Sequence, residues 1–191
     1  MERTDDELVI DTSRKSPNFG DRGGITPDVI VLHISEGYYD SGVDWLCNPV
    51  AQASTHFFVA KDGRCAKMVN LNKSAWGNAT TYKVASDKRY YKNSKKKLVN
   101  SRPMSANRYT ISIEFEGFFR EGGRLTEKQH KTAVKLLLRI RKRIKKVYGY
   151  EIPLDREHIM SHSEVTPLWK PNCGRNIDID RILLDANNKL Q

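Results

Sequence analysis

No run of apolar residues in this chain approaches the length needed to cross a bilayer. The opening stretch, MERTDDELVIDTSRK, is acidic and polar and lacks the apolar core of a secretory signal. Cysteine is scarce: Cys47, Cys65 and Cys173 are three in 191 residues, an odd and small number that argues against a disulfide framework. Acidic residues are outnumbered, 23 against 33 basic, which leaves a formal net charge of +10. Such a field attracts polyanions by summed charge and does not by itself choose between nucleic acid and another anionic polymer. The remaining composition, 38% hydrophobic and 29% charged, is that of a globular domain, and the length suits one domain with a sizeable core.

No internal repeat is evident. Residues 1–28, rich in Gly, Pro and Ser, read as an irregular arm ahead of a domain spanning 29–191. VIVLHIS, from Val29 to Ser35, is a continuous apolar, β-branched run and predicts a buried strand. VDWLCN predicts a short helix. THFFVAKDGRCAKMVN predicts a hairpin turning at Asp62-Gly63, a strong turn pair. The polar, basic stretch that follows, including Lys88, Arg89, Tyr90, Tyr91, Lys92, Lys95, Lys96 and Lys97, reads as a long, partly exposed loop, on the substrate side in preference to a stacking surface for single-stranded nucleic acid. YTISIEFEG alternates in the strand period, with Thr110, Ser112, Glu114 and Glu116 on one face.

The clearest helix covers Glu127 to Tyr148. Thr126 and Gln129 form a capping box, and Ala133, Leu136, Leu137, Ile140, Ile144 and Val147 make the inward stripe. Its other face carries Lys128, Lys131, Lys135, Arg139, Arg141, Lys142, Arg143, Lys145 and Lys146 without an acid. EHIMSHSEV reads as a further strand entering a loop. The C-terminal NIDIDRILLDANNKL reads as a helix with Ile179, Ile182 and Leu183 inward. The class is α/β, a central mixed sheet covered by helices.

His33 ends one predicted strand, His162 follows another, and Cys173 lies in the Pro/Asn/Gly loop WKPNCGRNID. A lone histidine at a strand end is more often structural than a ligand. Two imidazoles and a thiolate, however, make a good zinc set with one position open to water, whose pKa zinc lowers to about 7. Spacing alone does not join them, because they lie far apart in the chain.

Five segments, VIVLHIS, STHFFVAKDG, KSAWGNA, YTISIEFEG and HSEVTPLWKPNC, stand in the order and approximate spacing of the zinc N-acetylmuramoyl-L-alanine amidases. The chain resembles this family, which includes phage amidase lysins and peptidoglycan recognition proteins, from about Val29 to Asp180. The resemblance implies Zn²⁺ held by His33, His162 and Cys173. It implies Glu114 as general base and His56 and Trp76 at the cleft wall. Where many members carry a Lys two residues before the third ligand, this chain has Pro171; Lys170, one residue earlier, is the candidate to stabilise the oxyanion. Thr55 stands where some members have a Tyr.

The implied substrate is bacterial peptidoglycan, cut between N-acetylmuramic acid and L-alanine. The resemblance fits the catalytic domain of a phage lysin, made in the host cytoplasm and acting on the wall after release. A non-cutting recognition protein and an intracellular recycling amidase are the rivals; the complete ligand set favours cutting. The basic helix face is read either as solvated or as a dock for anionic wall polymers, with no nucleic acid and no membrane insertion expected. Glu116 is read as a structural acid or one bonded to a ligand histidine. His130, His158, Cys47 and Cys65 are read as structural, and Trp45 and Trp169 as packing residues, Trp169 with a place near the cleft.

Overall fold

The computed structural model describes residues 8–81, 84 and 86–191. In chain order its strands and helices are β1 (Ile10–Asp11), β2 (Phe19–Asp21), β3 (Val29–Ile34), α1 (Tyr39–Leu46), β4 (Phe57–Val59), β5 (Cys65–Lys67), β6 (Lys73–Ala75), α2 (Lys97–Asn100), β7 (Thr110–Phe115), α3 (Glu127–Tyr148), β8 (Ile159–Ser161), α4 (His162–Val165) and α5 (Ile179–Asn188). Six strands form one mixed sheet in the order β1-β5-β4-β7-β3-β8, and β2 pairs with β6 in a separate ribbon. The strands from β4 to β8 run parallel, while β5 returns antiparallel from β4.

β3 is buried along its whole length, as its unbroken apolar run requires of a central parallel strand. Side chains alternate across the sheet. Ile30, Leu32 and Ile34 of β3, with Ile111, Ile113 and Phe115 of β7, face α3 and α5 in the main core. His33, Glu114 and Ser112 therefore face the other way. That opposite layer is closed at one end by Val29, Val31, Tyr109, Met160 and Val99.

α3 has the expected bounds and its capping box, with Gly149 ending it in the left-handed region at φ 70°. Ala133, Leu136, Leu137, Ile140 and Ile144 are buried; Val147, expected inward, is 48% exposed at the helix end. His130 is a buried residue of this helix and pairs with Asp185 of α5 at 2.6 Å. The hairpin forms as expected, with Gly63 at φ 90° in its turn.

Several expectations need correction. The arm is not irregular throughout: β1 extends the main sheet and β2 zips onto β6. Just past β2, Arg22 is buried among the Leu71, Arg108 and Thr110 carbonyls at 2.9, 2.8 and 3.1 Å. The long basic stretch is partly exposed, as read, but it is not all loop, since α2 lies within it. Asn78, Thr80, Val99 and Ala106 are buried, and Lys96 is buried against Glu164 at 3.2 Å. Residues 82, 83 and 85 of that stretch lie outside the described residues. The strand read into EHIMSHSEV stops at Ser161, whose capping box with Glu164 starts α4 at His162. Glu116 accepts from the Lys61 N–H at 2.7 Å and holds the hairpin; no bond to a ligand histidine is present.

Leu136 is fully buried between α3 and the sheet. Leu136→Ala should lower unfolding free energy by about 2–5 kcal/mol, the range for a buried Leu truncated to leave a cavity. Urea unfolding of the two proteins checks it.

Candidate active site

Three elements deliver the candidate ligands to one point. Parallel pairing sets His33 of β3 directly beside Glu114 of β7 on the same sheet face. β8 pairs with β3 up to Leu32 and Ser161, so His162 emerges at the level of His33. Cys173 comes back over the strand ends, its carbonyl accepting from the Ser163 N–H at 2.9 Å. Gly174 makes that return feasible. It adopts φ 72°, and a Cβ there would collide with the Leu32 carbonyl of β3.

One ligand atom from each of His33, His162 and Cys173 lies within 4.8 Å of the others. Cys173 Sγ is 3.7 Å from His33 Nδ1, and the two imidazole centroids are 4.5 Å apart. Glu114 Oε2 is 3.9 Å from the same His33 Nδ1. Burial, then the nearby Lys170 ammonium, pushes His33 down to about 3; burial also drives His162 well below its ordinary value. Both rings are therefore neutral at pH 7 and offer lone pairs. Burial, then the Glu114 carboxylate, pushes the Cys173 thiol up to about 12. Burial raises Glu114 to about 8, with Lys170 acting against it. Two neutral imidazoles and a cysteine that gives up its proton on binding form a donor set that suits a zinc ion.

The site opens into a cleft of about 750 Å³. Trp76, Arg89, Arg120, Trp169 and Lys170 line its walls. The Arg89 guanidinium lies 5.3 Å over the Trp169 ring. Trp169 takes the place near the cleft expected of it and is 49% exposed there, whereas Trp45, expected to pack, is 53% exposed. Both sit on polar loops or short helices whose composition hides their exposure. Lys170 is exposed at the cleft, on the loop that carries Cys173. The basic-loop residue Arg89 thus reaches the cleft; Arg120 was missed by sequence reasoning, since nothing in FFREGG marks it.

His56 is not at the cleft wall. It is 0% exposed, its Nδ1 accepting from the Ser112 N–H and its Nε2–H donating to the Lys73 carbonyl, each at 3.0 Å. Arg22 Nη2 also lies 3.0 Å from Nε2. The ring ties β4, β6 and β7 together behind the cleft. Cys65 is buried and Cys47 half-buried, both free thiols. His158 bonds Asp155 at 2.7 Å, at the start of the segment that leads through β8 to His162.

A family model described as N-acetylmuramoyl-L-alanine amidase matches residues 23–177. N-acetylmuramoyl-L-alanine amidase A of Achromobacter lyticus is 38% identical over 48 residues, a stretch covering 25% of this chain and only 27% of that relative. Among solved structures, AmpD superposes with a TM-score of 0.59 at 17% identity, covering 95% of this chain and 97% of that one. The endolysin amidase LysCS from Clostridium intestinale superposes at 0.57 with 16% identity, covering 95% of each. These likenesses establish the mixed sheet with its covering helices as a shared fold.

His56 gives the fold a pH dependence. Burial, then Arg22, holds its pKa at about 3, against 6.5 for an ordinary imidazole. Its stabilising contribution is whole above pH 6.5 and is lost as pH falls from there toward 3. Between pH 7 and 5 the loss from this one group should be about 2 kcal/mol. Urea unfolding at both pH values, for the parent and His56→Gln, isolates it; equal losses in the two proteins would refute the assignment.

Proposed function

The chain belongs to the N-acetylmuramoyl-L-alanine amidase family, and we propose that it hydrolyses the amide between N-acetylmuramic acid and L-alanine in bacterial peptidoglycan, as the catalytic domain of a phage endolysin does. The observation that carries this reading is the meeting of His33, His162 and Cys173 within 4.8 Å, beside the Glu114 carboxylate at the floor of a cleft.

His33, His162 and Cys173 would hold a zinc ion, which supplies Lewis-acid polarisation of the scissile carbonyl. Glu114 takes a proton from the attacking water as its oxygen bonds to the carbonyl carbon. The same carboxyl then gives a proton to the amine nitrogen as the C–N bond breaks. Its raised pKa keeps both directions of transfer close to balance near neutral pH. Lys170, exposed at the cleft beside Trp169, sets positive charge against the developing oxyanion. Trp76, 39% exposed in the cleft wall, offers a flat apolar face to the sugar or peptide.

The basic surface supports a second contact, with anionic wall polymers. Lys67, Arg139, Lys142, Arg143 and Lys146 line a groove of about 440 Å³ that contains no acidic residue. Burial and then Lys15, Arg143 and Arg139 lower the Lys67 pKa, the mark of a crowded positive field. This groove lies on the α3 side of the sheet, away from the cleft. No helix among the described residues is long and apolar enough to cross a membrane.

Mass spectrometry of digested peptidoglycan should reveal lactyl-bearing sugar chains and free L-Ala amino termini; cleavage between sugars or within the stem peptide would refute the reading. A chelator should abolish this activity and Zn²⁺ restore it. Glu114→Gln should lower kcat roughly 100- to 10,000-fold while zinc stays bound. Added salt should slow lysis of whole cells more than hydrolysis of a small soluble muropeptide, because screening acts on the long-range field; equal slowing would remove the role given to the groove.

A further inference from the structure

Asn78 lies in the segment between β6 and α2, is 0% exposed, and takes no part in the chemistry described above. It follows Gly77, where a Cβ would sit 3.0 Å from the Ser54 carbonyl and 3.2 Å from the Ser112 hydroxyl. Glycine lets the chain run this close against β7. The Asn78 N–H then donates to Asn107 Oδ1 at 2.6 Å. Its Nδ2 donates to Thr110 Oγ1 at 3.0 Å and to Ser112 Oγ at 2.7 Å. Both amide protons are thereby engaged on β7, which leaves Oδ1 as the free end of the side chain.

That oxygen is buried without a partner, and so is His33 Nε2. The two orphans are complementary, an acceptor and a ring nitrogen able to donate, and the Asn78 side chain lies close enough to His33 to raise its pKa against the effect of burial. The other nitrogen of the ring, Nδ1, is the one turned to Cys173 and Glu114. A histidine that binds a metal through one nitrogen characteristically donates its other N–H to a carbonyl or carboxylate, which fixes the tautomer and the ring plane.

We propose that Asn78 is the positioning residue for the first metal ligand: its Oδ1 takes the Nε2 proton of His33 and so presents the Nδ1 lone pair to the space shared with His162 and Cys173. The proposal rests on the metal reading of that site. A purely structural Asn78 would serve only to satisfy the Thr110 and Ser112 hydroxyls. The two roles separate by experiment, because a structural residue alters the metal-free fold and a positioning residue alters metal affinity.

Zinc affinity is measured by competition with a chromophoric chelator for the full chain, Asn78→Leu and Asn78→Asp, alongside the thermal midpoint of each metal-free protein. Asn78→Leu keeps the size and removes the acceptor; its zinc affinity should fall about 10- to 100-fold. Asn78→Asp restores an acceptor and should bind zinc at least as tightly as the parent. A Leu variant with a lower metal-free midpoint and unchanged zinc affinity would overturn the proposal. If the Leu variant does not fold, the Asp variant decides: parental or tighter affinity supports it, and a tenfold loss overturns it. A parent chain that binds no zinc at all would instead bring down the metal reading, and this proposal with it.

Discussion

Parallel pairing of β3 with β7, in register from Val29 and Thr110 to Ile34 and Phe115, is the constraint from which the site hangs. It places His33 and Glu114 side by side on one face. The same alternation sends Leu32, Ile34, Ile113 and Phe115 into the core under α3. A slip of one residue in either strand would exchange these sets and bury the imidazole or the carboxylate among aliphatic side chains. The apolar partners therefore defend the geometry of the polar pair. β8 joins the same ladder on the far side of β3, and the left-handed turn at Gly174 closes the loop of Cys173 onto it.

Burial is the dominant electrostatic force on every titratable group at this point, and it acts on each in the direction of neutrality. Imidazoles are held unprotonated, and the thiol and carboxyl hold their protons more tightly. Lys170 is the cation that acts on all four. His56 shows that a depressed imidazole pKa does not by itself mark a ligand. Its ring is as deeply buried as that of His33 and titrates as low, yet both its nitrogens are bonded to β6 and β7. The His33 ring differs by having its Nδ1 turned toward a thiol and a carboxylate.

Long or strongly patterned elements were legible in the sequence. The run VIVLHI, the alternation TISIEF, the capped 22-residue α3 and the Asp-Gly hairpin all carry their own local instructions. β1 and β2 carry none: two and three residues long, they exist because β5 and β6 offer them ladder partners. The gathering of His33, His162 and Cys173 was legible through the likeness of five motifs to a family, not through spacing, since 140 residues separate the first from the last. The same likeness misplaced His56, because order along the chain does not say which way a side chain faces. α4 was hidden in a stretch of four residues whose helix depends on the Ser161–Glu164 box. Asn78 stood inside the KSAWGNA segment with no role assigned to it; its place under β7 is visible only once Gly77 brings the chain close.

The sheet stands between two basic features, the cleft with Arg89, Arg120 and Lys170 and the groove beside α3. The acid-free groove runs between α3 and the edge of the sheet at β1, β4 and β5, and the cleft lies on the opposite face. On the proposed reading, an anionic wall polymer held in the groove would lie on the side away from the cleft. The polymer that captures the molecule would then not be the one in the cleft. Capture and turnover would not compete for the same polymer, and the cleft would be free for another strand of the meshwork.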